Sequence, residues 1–65
     1  MYEDALRKAI APYGTISQFA KKLGTRRENV SAWLNRNIRI SLEYALRIDR
    51  LTNGEVSWEE LVSPH

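Results

Sequence analysis

The sequence of 65 residues lacks cysteine altogether and contains two prolines, three glycines and no long run of apolar residues. Without cysteine, disulfide bonds and thiolate zinc sites are excluded as sources of stability. No apolar stretch approaches the roughly 18 residues that a helix needs to span a bilayer. A chain of 65 residues forms one small domain at most, here residues 1–65. Since 43% of its residues are hydrophobic, we expect this domain to be held together by packed apolar side chains, with or without a partner subunit.

A sustained alternation of apolar and polar residues, which is typical of β-strands, is also missing. Apolar residues instead recur at intervals of three and four, and this spacing predicts an all-α chain of four helices and a short fifth one. The predicted boundary residues are Pro12 and Gly14 after the first helix, Thr15 and Gly24 around the second, Thr25 and Asn35 around the third, Ser41 and Gly54 around the fourth, and Ser57 with Glu60 at the last. The predicted apolar faces of the first three helices are formed by Tyr2, Leu6, Ala9, Ile10 and Tyr13, by Ile16, Phe19, Ala20 and Leu23, and by Val30, Trp33 and Leu34. The fourth helix has a mixed but still helical pattern of Leu42, Ala45, Leu46, Ile48 or Asp49, and Leu51.

The start of the third predicted helix has an unusual charge. Thr25 and Glu28 have the spacing of a capping box, in which two side chains satisfy unpaired backbone amides. Arg26 and Arg27 lie just inside it, where the positive end of the helix dipole makes each cation cost about 0.3–1 kcal/mol. Because local rules are broken more often at functional sites than elsewhere, we interpret the two arginines as functional residues.

The net charge of +2 is unevenly distributed along the chain. Residues 15–40 contain six basic side chains and one acid, a formal charge of +5, whereas the remainder has a charge of −3. A basic middle segment between acidic ends is typical of a protein that binds a polyanion through one face. A solvated charged surface is the alternative, and Lys21 and Lys22 fit that alternative best.

The second and third predicted helices are joined by little more than Gly24 and Thr25, which favours a steep crossing of the two helices. Ala20 is small where the helices approach most closely, and Val30 and Trp33 anchor the third helix on the second. Written out, the spacing is A-x3-G-x5-V-x2-W. It resembles the DNA-binding helix-turn-helix of the phage Cro and repressor superfamily.

The resemblance extends over about residues 13–64, and the chain is similar to the small Cro-like and YdaS-like regulators of bacterial prophages. It implies a compact, four- to five-helix, lambda-repressor-like domain with its helix-turn-helix at about residues 15–35. It further implies a transcriptional regulator, a Cro-like repressor that binds double-stranded operator DNA as a homodimer, at least on the DNA. Asn53 departs from the family pattern with little consequence, since asparagine also tolerates a left-handed conformation. Arg26 and Arg27 depart from it too, and because they affect the operator sequence, that sequence cannot be borrowed from a relative. The residues that carry the likeness are Gly24, Val30, Ser31, Trp33, Ala45, Ile48, Thr52, Gly54, Val56 and Leu61.

Under this resemblance the third helix is the recognition helix, whose N-terminal residues face base edges in the major groove. Arg27 is the first choice for a bidentate contact to guanine, and Arg26 shares this contact or binds phosphate. Glu28 either accepts a hydrogen bond from cytosine or only caps the helix, and Ala32 can touch a thymine methyl group. The predicted base-contacting residues are Arg26, Arg27, Glu28, Ser31 and Ala32. The predicted phosphate-contacting residues are Thr15, Ser17, Gln18, Asn35, Arg36, Asn37 and Arg39.

Two other functions stay open. The YdaS-like resemblance also suggests an antitoxin-like module that neutralises a partner protein, and an architectural DNA binder without sequence preference is the third option. We find no catalytic, cofactor-binding or metal-binding constellation, and the lone His65 is not expected to bind a metal. Tyr44 and Trp58 are assigned either to a dimer contact or to packing within the monomer.

The location of the protein is predicted from its first residues, which are charged and lack the apolar segment of a signal peptide. We expect the protein in the cytoplasm of a bacterial host cell, where a DNA-binding regulator would associate with the nucleoid.

Overall fold

Five α-helices and one 3-10 turn make up the computed structural model of the chain, which describes residues 2–36 and 38–62 and, of Tyr2, the backbone alone. The elements are α1 (Tyr2–Ile10), a 3-10 turn (Ala11–Tyr13), α2 (Ile16–Leu23), α3 (Arg27–Asn35), α4 (Leu42–Leu51) and α5 (Trp58–Val62). The described residues form no strand. The predicted all-α class, the number of helices and their order are therefore confirmed.

Three helix starts follow the predicted local chemistry. The Thr15 hydroxyl oxygen accepts the Gln18 N–H at 3.1 Å and caps α2, and the Ser41 hydroxyl accepts the Tyr44 N–H at 3.4 Å and caps α4. The Ser57 hydroxyl accepts the N–H of Glu60 at 3.4 Å before α5. Each bond satisfies one of the amides that the first turn of a helix leaves without a backbone partner.

The chain changes direction after α1 and after α4 at the residues that the sequence indicated. Pro12 cannot continue an α-helix, and the chain passes through the 3-10 turn before Gly14, whose φ is +81°. After α4, Asn53 and Gly54 both have a positive φ, 55° and 83° respectively. Asparagine tolerates this left-handed backbone better than most residues, so the departure at Asn53 leaves the turn intact.

One apolar core lies between the five helices. α2 packs against α3, and α5 packs against both α1 and α4. Among the described residues, no charged or polar residue is buried. The buried side chains are Leu6, Ala9, Ile10, Phe19, Ala20, Leu23, Val30, Trp33, Ile40, Ala45, Ile48, Val56 and Leu61.

The structure shows which apolar residues of the mixed α4 pattern face the core. Leu42 is 54% exposed and Leu46 is 41% exposed, because α4 turns the stripe that contains Ala45 and Ile48 toward the core. The apolar residues of α4 form two stripes, and only one of them can face inward. Asp49 is half-buried at the margin, where its carboxylate accepts the N–H of Trp58 at 3.0 Å.

The two aromatic residues with an open assignment do different things. Tyr44 is half-buried and packs on Trp33, with 5.5 Å between the ring centroids. Trp58 is 37% exposed and is not part of this pair. Tyr44 therefore joins α4 to α3 within the monomer, as one of the two predictions had it.

Candidate nucleic-acid interface

The turn between α2 and α3 consists of residues 24–26. Gly24 adopts a left-handed conformation with φ +88° and ψ +33°, which side chains with a Cβ atom rarely adopt. The N–H groups of Gly24 and Thr25 both donate to the carbonyl oxygen of Ala20 at 2.9 Å. The Ala20 carbonyl near the end of α2 thus receives its hydrogen bonds within one short turn. α3 packs against the side of α2 on which Ala20 is buried.

The capping box predicted at Thr25 and Glu28 is wrong. The N-cap of α3 is Arg26, which has an extended backbone and forms no side-chain capping bond. Thr25 lies one residue earlier because its N–H is used to end α2, and its hydroxyl oxygen accepts the Asn29 side-chain amide at 2.8 Å instead. Glu28 lies in the first turn of α3 without a capping role.

The two arginines at the start of α3 are exposed. Within residues 2–36 and 38–62, neither Arg26 nor Arg27 forms an ion pair or a side-chain hydrogen bond. Glu28 is the acid of this first turn, so two guanidinium groups and the positive helix end stand against one carboxylate. This end of α3 carries a positive potential that the described part of the chain does not neutralise.

The orientation of α3 agrees with the face that the sequence predicted. Val30 and Trp33 are buried and Leu34 is half-buried, so the opposite side of the helix is directed outward. Ser31 is half-buried on that side, and its hydroxyl accepts the Asn35 side-chain amide at 3.1 Å. The outward side thus presents the exposed Glu28 and Asn35 and the half-buried Ser31 and Ala32, with the exposed Arg27 at its margin.

The predicted phosphate-contacting residues fall into two groups. Thr15, Ser17 and Gln18 are exposed at the start of α2, where Thr15 also caps the helix. Arg36 and Arg39 are exposed after the end of α3. Asn37, which belongs to the second group, lies outside the described residues. The side chain of Tyr2 and the lone His65 lie outside them as well.

Two residues that the sequence reasoning did not single out also belong to this region. Asn29 is exposed on α3 and is held in place by its hydrogen bond to Thr25, four residues earlier. Arg47 of α4 brings its guanidinium near the turn, 3.5 Å from the point that a Cβ atom on Gly24 would occupy. The spacing of Thr25 and Asn29 was a signal for the first contact, whereas the contact of Arg47 with the turn depends on how α4 packs.

The described residues also lack two other kinds of functional feature. No cluster of three or more histidine, cysteine, aspartate or glutamate residues that could hold a metal ion occurs in residues 2–36 and 38–62. Over the same ranges, no helix is both long enough and apolar enough to cross a membrane.

The chain is similar in sequence to one known family. A family model described as bacterial toxin YdaS matches residues 6–63, a range that includes α2 to α5 and most of α1. No curated protein and no solved structure matches the chain. The match confirms the YdaS-like part of the predicted resemblance, whereas the likeness to the Cro and repressor superfamily stays a prediction.

Proposed function

The chain belongs to the bacterial toxin YdaS family, and from this premise we propose that it is a sequence-specific DNA-binding regulator that inserts α3 into the major groove. The observation that carries the proposal is the start of α3, where Arg26 and Arg27 are exposed and lack a partner in the described part of the chain. In water this arrangement only weakens the helix. Next to DNA phosphates and base edges, the same charges find acceptors.

The proposed recognition assigns base contacts to the N-terminal half of α3, as is usual when a second helix of such a motif enters the groove. Arg27 donates two hydrogen bonds to O6 and N7 of a guanine, and Arg26 contributes to the same base pair or binds a phosphate. Glu28, which has no capping role, accepts a hydrogen bond from a cytosine amino group. Ser31 and Ala32 follow along the outward side, and Ala32 is suited to a thymine methyl group.

Asn29 adds a base contact that the sequence did not suggest. Its amide nitrogen donates one hydrogen to Thr25, which leaves its second amide hydrogen and its carbonyl oxygen. These are the two groups with which asparagine pairs with N7 and N6 of adenine. The hydrogen bond to Thr25 holds the side chain in one position and so lowers the entropy cost of that contact.

Phosphate contacts in this proposal come from both sides of the recognition helix. The start of α2 offers Thr15, Ser17 and Gln18, and the end of α3 with the segment after it offers Asn35, Arg36, Asn37 and Arg39. Such contacts fix the register of the protein on the duplex and carry no sequence information of their own. Two copies on a palindromic operator would have their half-sites about 34–36 Å apart, one turn of the double helix.

The experiment that tests the proposal is a selection of binding sites from random double-stranded DNA, followed by affinity measurements at several salt concentrations. We expect a consensus sequence and a steep fall of affinity with salt, with a slope of about −0.9 for each phosphate contacted. Arg27→Ala should flatten the preference at one base pair, worth about 1–3 kcal/mol of discrimination. Arg39→Ala should weaken all sequences alike.

The matched control is Arg7→Ala on α1, which removes an arginine that is ion-paired with Glu3 and should leave DNA binding unchanged. If the selection gives binders without a consensus, the protein is an architectural DNA binder. If Arg27→Ala and Arg39→Ala both behave like the wild-type chain, the assignment of the DNA-binding face to α3 is wrong.

A second candidate function is a role in a toxin–antitoxin pair, which the description of the family favours. The chain would then act on, or neutralise, a partner protein. Induced expression in a bacterium tests this role, since growth arrest by the wild-type chain and equally by an Arg26→Gln/Arg27→Gln variant would separate it from DNA binding. Loss of the arrest in that variant would instead tie the effect to the α3 interface.

A further inference from the structure

The outer face of α4 carries two exposed leucines that the fold does not use. Leu42 and Leu46 lie one helical turn apart, 54% and 41% exposed, while Ala45 and Ile48 of the same helix are buried. Exposed leucines that occur singly need no explanation, but two at i and i+4 form one continuous apolar stripe.

Basic side chains border this stripe on the side toward α2. Arg47 and Arg50 line two shallow hollows, the first of them together with Leu42, Leu46 and the acid Glu43. The second hollow is also lined by Lys22 and Leu23 of α2 and by Leu51 of α4. We call the stripe, the two arginines and Lys22 the α4 surface.

The charge of the α4 surface is largely uncompensated. Arg47 is ion-paired with Glu43, with 2.9 Å between the guanidinium nitrogen and the carboxylate oxygen. In the described part of the chain, Arg50 and Lys22 have no ion pair. The α4 surface therefore combines an apolar stripe with two cations that no carboxylate of the described residues neutralises.

We propose that the α4 surface binds an acidic amphipathic helix of a partner protein. Apolar side chains on one stripe of that helix would cover Leu42 and Leu46, which is the usual way in which an amphipathic helix packs on an apolar groove. Its carboxylates would meet Arg50 and Lys22, so the charges of the two surfaces are complementary.

A second copy of the chain and DNA each fit the α4 surface less well than an acidic amphipathic helix. A second copy of the chain would bring the same surplus of cations to the contact, and like charges across an interface are unfavourable. DNA would satisfy Arg50 and Lys22 but would leave Leu42 and Leu46 uncovered. The inference does not rest on the proposed function, because none of the residues of the α4 surface is a predicted DNA contact, although Arg47 also lies beside the turn between α2 and α3.

The test is a display selection of random 16-residue peptides against the full chain, followed by fluorescence anisotropy with the enriched peptides. We expect enriched peptides with leucine or a similar residue at i and i+4 and an excess of glutamate and aspartate. Leu42→Ser/Leu46→Ser and, separately, Arg50→Glu should each weaken binding about tenfold or more, as truncation of central contacts does. Because the substituted side chains are exposed, the helical circular dichroism of these variants should match that of the wild-type chain.

The control for Arg50→Glu is Lys8→Glu, which makes the same charge change on an exposed residue of α1 and should leave peptide affinity unchanged. Arg26→Gln/Arg27→Gln should also leave it unchanged, so that a failure of DNA binding and a failure of this inference are distinguishable. A selection without binders, or with binders that lack an acidic excess or ignore these substitutions, would overturn the inference. So would a wild-type dimer in sedimentation that Leu46→Ser abolishes, or a loss of DNA affinity in Arg50→Glu without a loss of peptide affinity.

Discussion

α3 and α4 are neighbouring helices of 9 and 10 residues, and they begin in opposite ways. α4 starts at a serine cap, has Glu43 in its first turn and pairs that acid with Arg47 one turn later. α3 starts at Arg26 without a side-chain cap and continues with Arg27. α4 therefore gains stability from its own sequence, whereas α3 gives up local stability at its exposed N-terminal end.

α3 depends on packing against the rest of the fold for its stability. A helix of this length is marginal in water, so its stability must come from packing when its own sequence does not supply it. Val30 and Trp33 provide that packing, and Trp33 contacts Tyr44 of α4. α3 is thus stabilised by packing along its inward side, and its exposed N-terminal end is available for another role.

The largest expected effect comes from Trp33→Ala, which removes this support. Loss of a buried aromatic side chain costs about 3–5 kcal/mol of the free energy of unfolding, and such a loss is a large part of the stability of a small domain. Urea denaturation followed by circular dichroism measures it. The matched control is Trp58→Ala, which removes an exposed tryptophan and should cost far less. Equal losses in the two variants would contradict the view that α3 depends on packing.

The next effect in size concerns the turn that sets α3 against α2. Gly24→Ala forces a Cβ atom into a left-handed backbone, which costs about 1–2 kcal/mol. The space itself is sufficient, since the nearest atom would be the Arg47 guanidinium at 3.5 Å, an ordinary contact. Gly24→Asn should lose less than Gly24→Ala in thermal unfolding, because asparagine tolerates this conformation. A loss in the reverse order would show that crowding, rather than backbone strain, governs the position.

Removing the cap of α4 and adding a cap to α3 should change the free energy of unfolding in opposite directions. Ser41→Ala removes the cap of α4 and should cost about 0.5–1 kcal/mol, the lower part of the usual range because its hydrogen bond is 3.4 Å long. Arg26→Ser supplies a capping hydroxyl at the N-cap of α3 and should add about 0.5–1 kcal/mol. Urea denaturation measures both changes, and DNA affinity should fall in Arg26→Ser alone. A destabilised Arg26→Ser chain would mean that Arg26 has a structural role.

Much of the fold could be predicted because its signals are local. The Thr15 and Ser41 caps, the stop at Pro12 and the inward stripe of Val30 and Trp33 each depend on residues within one or two turns. The inward side of α4 could not be predicted in this way, because its apolar residues form two stripes and the choice between them depends on where the rest of the chain packs.

The inward and outward sides of α3 could be predicted from the sequence, but the detail of its first turn could not. Thr25 and Glu28 match a capping box in spacing, yet the N–H of Thr25 is already used to end α2. Two helices joined by a three-residue turn compete for the same backbone groups, and a pattern that treats each helix separately does not include this competition. Asn29 was overlooked for the same reason, because its partner Thr25 was assigned elsewhere.

The smallest expected effect is the loss of one arginine from each helix, and it should change the free energy of unfolding in opposite directions in α3 and α4. Arg27→Gln should stabilise the chain by about 0.3–1 kcal/mol at low salt, because it removes a cation from the positive end of α3. Arg47→Gln should destabilise it by a similar amount, because it breaks the ion pair with Glu43 and removes the guanidinium that lies 5.2 Å from the centre of the Tyr44 ring. Arginine and glutamine have similar helix propensities, so that term largely cancels in both variants.

Urea denaturation at low and high salt separates the charge effects from other causes. At 1 M salt the screening length is about 3 Å, and the stabilisation by Arg27→Gln should nearly vanish. The loss in Arg47→Gln should shrink less, since part of it comes from the contact with the Tyr44 ring. If Arg27→Gln lowered stability instead, Arg27 would support α3 within the fold. The unusual start of that helix would then have a structural cause, and the main support for a DNA-binding α3 would be lost.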